Sequence, residues 1–370
     1  MPRSGSHPGA PVWVALGVVG LLLLVIAVAS GGSGGGADEK RAAKPEATRG
    51  TGTTPVRAKA GAAVAAQVRS VADRMSLPAQ VSQLFLVDAV GRMPRSVEWG
   101  LLRTGSAGPP LALRRAIRRV RGVRPMVAAQ GLPDQPRAAR RGARRTETEY
   151  RRVAASLRGN GVRLGLELSL DLSSGAGPEA GTAFSDDPGE VSELGVAALE
   201  GARAARLPLA VGHFPGQGAA SQDPIDGPAS VGVSRDRLRE RDLAPFRSVA
   251  STVPVMVVSS ALYNAYDPTT PAALAPEIVG GELRRGLGFR GVAMTDRLAG
   301  LAVVGGSSSG GAAVQALRAG IDLVWAGDER EARAGRDAVL QALRERRLKP
   351  ARVREALERV LELKRGAGLL

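Results

Sequence analysis

Leu207-Pro208-Leu209-Ala210-Val211-Gly212-His213-Phe214 is a continuous apolar run whose polar side chain comes only near its end. A run this short, with no alternation, reads as a strand buried on both faces. Helix-compatible stretches flank it, Glu190–Ala205 before and Arg235–Thr252 after. The same module recurs at Leu84–Asp88, Val97–Leu102, Pro125–Gln130, Val162–Leu168, Val253–Ser259, Gly291–Asp296 and Ile321–Ala326. Amphipathic segments such as Leu111–Arg121, Arg137–Arg152, Pro276–Gly286 and Ala312–Ala319 lie between them, and Pro350–Lys364 reads as the last helix. Eight strand–helix units in about 270 residues predict an α/β fold, a single (β/α)8 TIM-type barrel. There is no internal repeat beyond that period.

The chain has 370 residues, 44% of them hydrophobic, which excludes a wholly disordered polymer. It has no Cys, so disulfides, thiolate metal sites and a cysteine nucleophile are excluded. Two His leave no material for a polyhistidine metal centre, and neither a metal nor a cofactor is expected. The net charge of +16 comes almost wholly from Arg, with eighteen Arg between Arg92 and Arg163 against Glu98, Asp134, Glu147 and Glu149. Only Trp99 and Tyr150 fall among them, which makes no interleaved series of stacking aromatics, so nucleic acid is not the expected partner. The expectation is solvated basic helix faces, which could also meet an anionic wall polymer.

Val12–Ala29 carries no charge and is long enough, at ~1.5 Å per residue, to approach the thickness of a bilayer core. It reads as a single-pass anchor over residues 12–30 behind a cytoplasmic stretch 1–11, with cleavage near Ala29 and secretion as the alternative. Residues 31–61, rich in Gly, Ala, Lys and Pro, read as a disordered linker. Residues 62–370 are then the barrel, on the extracytoplasmic side of the cell membrane.

Chemistry in such barrels sits at the C-terminal strand ends. The polar residues there are Gln130, Asp171, His213, Ser259, Ser260, Asp296 and Asp328, and the loop after the fifth strand adds Gln217, Gln222, Asp223 and Asp226. Carboxylates in that position suit glycoside hydrolysis. Plainer roles compete with this. Asp296 could pair with Arg297, Asp223 and Asp226 have the Pro and Gly neighbours of turn residues, and Glu190 and Glu193 suit a helix first turn.

Val211-Gly212-His213-Phe214-Pro215-Gly216-Gln217-Gly218 resembles the KHFPGHG signature of glycoside hydrolase family 3, β-N-acetylhexosaminidase branch. Met75-Ser76-Leu77 with Gln83-Leu84-Phe85, the segment Leu274–Asp296 and the helix Val353–Lys364 resemble further family segments in the family's order. The resemblance covers roughly residues 65–366 and implies a retaining double displacement on cell-wall glycans. It places the nucleophile at Asp296, the Asp of an Asp-x-His acid–base dyad at Asp223, and a sugar-binding His at His213. The dyad His is replaced by Ile225, the signature Lys by Gly212 and its second His by Gln217. Ala129 and Thr182 stand where the family has a carboxylate and an Arg, and Ser260 where it has a His.

General acid–base catalysis contributes about 10²–10⁴-fold, and each lost charged contact to a sugar removes about 1.5–3 kcal/mol. The expected function is therefore a membrane-anchored, family-3-like envelope protein with weak or no hydrolysis, facing wall glycan. The alternatives are an active glycosidase with Asp223 or Asp226 as replacement acid, or an Arg-rich surface for polyanions on a barrel scaffold. The Arg belt carries a checkable consequence. Any retention on an anionic wall polymer should weaken steeply as salt rises past about 0.15 M, where exposed charges are screened within about 8 Å; salt-independent retention would contradict it.

Overall fold

The computed structural model describes residues 55–370 except 92 and 176, with side chains from residue 61 onward. The apolar run Val12–Ala29 and residues 1–54 as a whole lie outside the described residues. Among the described residues no helix is long and apolar enough to cross a membrane.

Eight parallel strands close on themselves: β1 (Phe85–Asp88), β2 (Leu101–Thr104), β3 (Met126–Ala129), β4 (Leu164–Ser169), β5 (Leu209–Phe214), β6 (Val255–Val258), β7 (Val292–Arg297) and β8 (Leu323–Ala326). All eight sequence-predicted strands are present. Closure is made by β8 on β1, with Phe85 beside Val324, Leu86 beside Trp325 and Val87 beside Ala326. Helices cover the outside, so both strand faces are dry and most strand residues are buried. Three short strands, Ser230–Val231, Leu262–Tyr263 and Asp267–Pro271, form a small sheet from the loops after β5 and β6.

Several boundaries differ from the sequence reading. Strand β2 begins at Leu101 rather than Val97, because the Gly100 N–H is given to Ser82 O before β1 and not to the barrel ladder. The stretch read as one helix over Arg137–Arg152 is two, Gln135–Ala139 and Ala143–Gly159, split at Gly142, whose φ of 75° a side chain rarely tolerates. A helix runs from Pro55 to Asp73, beginning inside the stretch read as linker; its Ala-rich composition favours helix. Within Arg235–Thr252 the turns widen to a π-helix at Leu238–Asp242. Pro245 follows, and its ring excludes the carbonyl four residues back, that of Arg241.

The Arg-rich segments follow the solvated expectation: Arg114, Arg115, Arg118 and Arg119 on Leu111–Arg119, and Arg144, Arg145, Arg151 and Arg152 on Ala143–Gly159, are exposed. Arg103 departs from this and enters the barrel.

At the N-terminal face, Asp322 is fully buried just ahead of β8. One of its oxygens accepts from Arg284 at 2.5 Å and from the Ala293 N–H at 3.0 Å. The other accepts from Arg359 at 3.0 Å and from Arg352. A buried carboxylate is tolerable only when paired and fully hydrogen-bonded, so this hub ties the last helix, Pro350–Gly366, to β7 and β8. Nearby, the buried Lys364 donates to Gln83 Oε1 at 2.5 Å and to Arg124 O at 2.8 Å. Desolvation lowers its pKa to about 7.

The unfolded chain holds the Lys364 proton up to about pH 10.4, whereas the folded chain releases it near 7. Between those values the unfolded state binds more protons, so this residue makes stability rise with pH and lowers it below 7. Lys364→Met is expected to raise Tm by a few degrees at pH 6, and by less at pH 9. Melting curves at the two pH values check this.

Candidate active site at the barrel mouth

Strands β4 and β5 and the loops behind them build the most buried part of the mouth. Asp171, two residues past β4, is fully buried. Its Oδ1 accepts from the Gln217 N–H at 2.7 Å. Its Oδ2 accepts from the His213 N–H at 2.9 Å, lies 2.9 Å from His213 Nδ1 and accepts from Ser169 Oγ at 3.1 Å. Glu179 stands beside it, accepting from Thr182 Oγ1 at 2.6 Å, Ser169 Oγ at 3.3 Å and Gln217 Nε2 at 3.1 Å. Gln217 Oε1 in turn accepts from Ser259 Oγ at 2.9 Å.

His213 therefore faces Asp171 directly and Glu179 at 3.7 Å. Burial alone would discharge the imidazole. The hydrogen bond and charge of Asp171, then Glu179 and Asp296, outweigh that and raise its pKa to about 10. His213 is an imidazolium at neutral pH, with Nδ1–H held by Asp171 and Nε2–H without a protein partner among the described residues. Asp171, Glu179 and His213 each offer a ligand atom within 4.8 Å of one another. Every carboxylate oxygen of Asp171 and Glu179 already accepts a hydrogen bond, so the cluster as built holds a proton.

Across the mouth, Asp88 at the end of β1 accepts from Arg103 Nε and Nη2, both at 2.5 Å, and from Trp325 Nε1 at 2.9 Å. Arg103 and Arg297 stack on the Trp325 ring at 5.5 and 5.3 Å from its centroid. Arg103 also reaches Gln130 Oε1 at 2.5 Å, and Gln130 Nε2 donates to Glu167 Oε1.

Asp296 closes β7 and is buried. Its Oδ1 accepts the Arg297 N–H at 2.7 Å, the one donor it receives among the described residues. The Arg297 side chain turns away, to Asp88 at 3.5 Å and to Trp325. The pairing weighed for Asp296 from sequence is thus met by the backbone alone. Asp296 lies close enough to His213 and Glu167 for its charge to act on both.

The fifth loop is placed differently. Asp223 is half-buried and Oδ1 accepts the Ile225 N–H at 2.9 Å, a turn-type contact, while Asp226 is exposed and its N–H goes to Asp223 O. Neither is among the charges acting most strongly on His213 or Glu167. Ile225 is 59% exposed. At Gly212 an added Cβ would stand 3.0 Å from Val257 Cβ, so the strand is packed for glycine. Ser260 is buried with its Oγ unpartnered among the described residues, and Asp328 caps the helix Glu329–Arg344 by accepting from the Glu331 N–H.

Sequence reasoning missed Glu179, Asp88, Trp325 and Glu167. For Glu167 a signal existed: it is a carboxylate inside the otherwise apolar strand run Leu164–Leu168. The wide cleft of about 870 Å³ bordered by Arg206, Pro254 and Gly291 lies at the strands' N-terminal ends, away from these groups.

Residues 147–363 match the family described as Glycosyl hydrolase family 3 N terminal domain. A β-hexosaminidase of Xylella fastidiosa (strain 9a5c) is 32% identical over 173 residues, covering 46% of this chain and 51% of the relative. One from Stenotrophomonas maltophilia (strain R551-3) is 32% identical over 176 residues, with the same coverage. The matched part thus spans about half the length of these curated relatives. Among solved structures, a family 3 β-N-acetylglucosaminidase from Paenibacillus sp. str. FPU-7 superposes with a TM-score of 0.71 at 24% identity, over 80% of this chain and 63% of the other. M tuberculosis LpqI gives 0.73 at 22% identity, over 80% and 96%. These likenesses establish the barrel fold.

The His213 cation carries a stability consequence. Its folded pKa of about 10 exceeds the unfolded value near 6.5. Its contribution is fully present below 6.5 and lost as pH rises through 10, opposite in sign to Lys364. The intact chain should therefore show a shallow slope over this range. His213→Gln is expected to remove the falling component, so that stability rises with pH; denaturant melts at pH 6.5 and 9.5 check it.

Proposed function

The chain belongs to glycosyl hydrolase family 3, and from that premise we propose that it is a slow retaining glycosidase of the β-hexosaminidase type, with Asp296 as nucleophile. One observation carries this reading: Asp296 stands at the mouth with one backbone donor and no side-chain cation claiming it. A carboxylate so held can attack an anomeric carbon. The neighbouring His213 cation offers Nε2–H to a sugar oxygen. Low turnover follows from what is absent around it. Thr182 spends its hydroxyl on Glu179, Gly212 brings no side chain to a sugar, and Ile225 leaves the fifth loop without a proton donor.

The apolar run Val12–Ala29 supports a membrane anchor, which would hold the barrel at the outer side of the cell membrane facing wall glycan. Recovery of the full chain in an alkali-washed membrane fraction checks this, and release into the soluble fraction contradicts it.

With 2,4-dinitrophenyl N-acetyl-β-glucosaminide, the full chain is expected to turn over well below the ~10 s⁻¹ of a median enzyme. Asp296→Asn should lower that rate by about 10³-fold or more, with an unchanged melting curve. Equal activity of the variant would refute the assignment.

A further inference from the structure

Strand β4 does not keep an even ladder with β5. The pairing Gly165 with Leu209 gives way to Leu168 with Val211, a slip of one residue. Inside that slip, Glu167 has φ 71°, left-handed backbone that a non-glycine residue rarely adopts and that gathers at functional sites. Its side chain opens to the barrel mouth, where Oε1 accepts from Gln130 Nε2. Gln130 is fixed in turn by Arg103, and Arg103 by its two bonds to Asp88. The carboxyl is thus oriented by a chain of three side chains, and its Oε2 has no hydrogen-bond partner among the described residues.

The charged groups facing it are His213, Arg103, Asp296 and Arg297. Partial desolvation within the mouth, to which the side chain still opens, raises its pKa most and Asp296 adds to that; His213, Arg103 and Arg297 oppose, and the balance is upward. Retaining hydrolysis needs a group that gives a proton in one step and takes one in the next, with a pKa near the working pH. His213, raised to about 10 and bonded to Asp171, keeps its proton instead.

We propose that Glu167 is the proton-transfer residue of this site, doing from β4 the work that Ile225 in the fifth loop cannot do. The proposal rests on Asp296 being the nucleophile. Asp296 bonds to the anomeric carbon as the glycosidic C–O bond breaks, and the departing oxygen takes the Glu167 proton. The Glu167 carboxylate then removes a proton from water, whose oxygen bonds to the anomeric carbon and frees Asp296. The chemical class of substrate widens accordingly, from activated aryl glycosides to alkyl and sugar leaving groups.

The test compares the full chain with Glu167→Gln and Glu167→Asp on two substrates, N,N′-diacetylchitobiose and 2,4-dinitrophenyl N-acetyl-β-glucosaminide. Glu167→Gln should slow the disaccharide by about 10²-fold or more, while the dinitrophenol burst persists. Azide should restore steady turnover of the aryl substrate and yield the β-glycosyl azide. The basic limb of kcat/KM against pH, present in the full chain, should vanish in Glu167→Gln, and Glu167→Asp should regain part of the disaccharide rate. An unchanged ratio between the two substrates, or no azide rescue in a variant with a normal melting curve, overturns the role of Glu167. Equal aryl-glycoside activity in Asp296→Asn overturns Asp296 itself, and this proposal with it.

Discussion

A single buried carboxylate, Asp171, sets the terms for the barrel mouth. It has no contact with water, and an ion in that position must be compensated by donors and charge. The backbone N–H groups of His213 and Gln217 and the imidazole of His213 supply that compensation from β5 and the loop behind it. The requirement pins the loops after β4 and β5 together. Through Gln217 and Ser259 it extends to β6, and through the Tyr263 hydroxyl bonded to Gly216 O it reaches the small side sheet. His213 pays for this arrangement with its freedom to titrate.

Three of the buried carboxylates are handled in the same way. Asp322 is satisfied by three arginines at the N-terminal face, Asp88 by Arg103 and Trp325, and Asp171 by His213. Each is consumed by structure. Asp296 and Glu167 differ, because each has one oxygen free of hydrogen bonds among the described residues and each faces the mouth. Two carboxylates in different surroundings are what divide the work of nucleophile and proton donor in retaining glycosidases. The two arginines that might have neutralised Asp296 are instead drawn to Asp88 and the Trp325 face.

On the assignment proposed for Glu167, this division is what lets a chain lacking the family's loop His keep a working arrangement. The fifth loop is occupied with its own turn, its Asp223 bonded to the Ile225 N–H. Nothing in that loop brings a proton to Asp296. The bulge in β4, the strand paired with β5, brings a carboxyl to the mouth instead, at the cost of an uncommon backbone conformation.

Strand identity, the closed barrel and the position of Asp296 were legible from residue order alone. Apolar runs buried on both faces cannot be anything but central strands at this length, and a strand end is a place that sequence marks directly. The motif around His213 likewise located the mouth. Which carboxyl faces Asp296 was not legible. Asp223 and Asp226 looked nearest by their place in the motif, yet a turn absorbs one and solvent surrounds the other. Glu167 sits in a run whose two faces are equally apolar, so strand periodicity gives no direction for its side chain. Only the one-residue slip between β4 and β5 decides it, and that slip comes from pairing with a strand more than forty residues away. The charge of His213 is a tertiary result for the same reason: its partners Asp171 and Glu179 meet it only when the barrel closes.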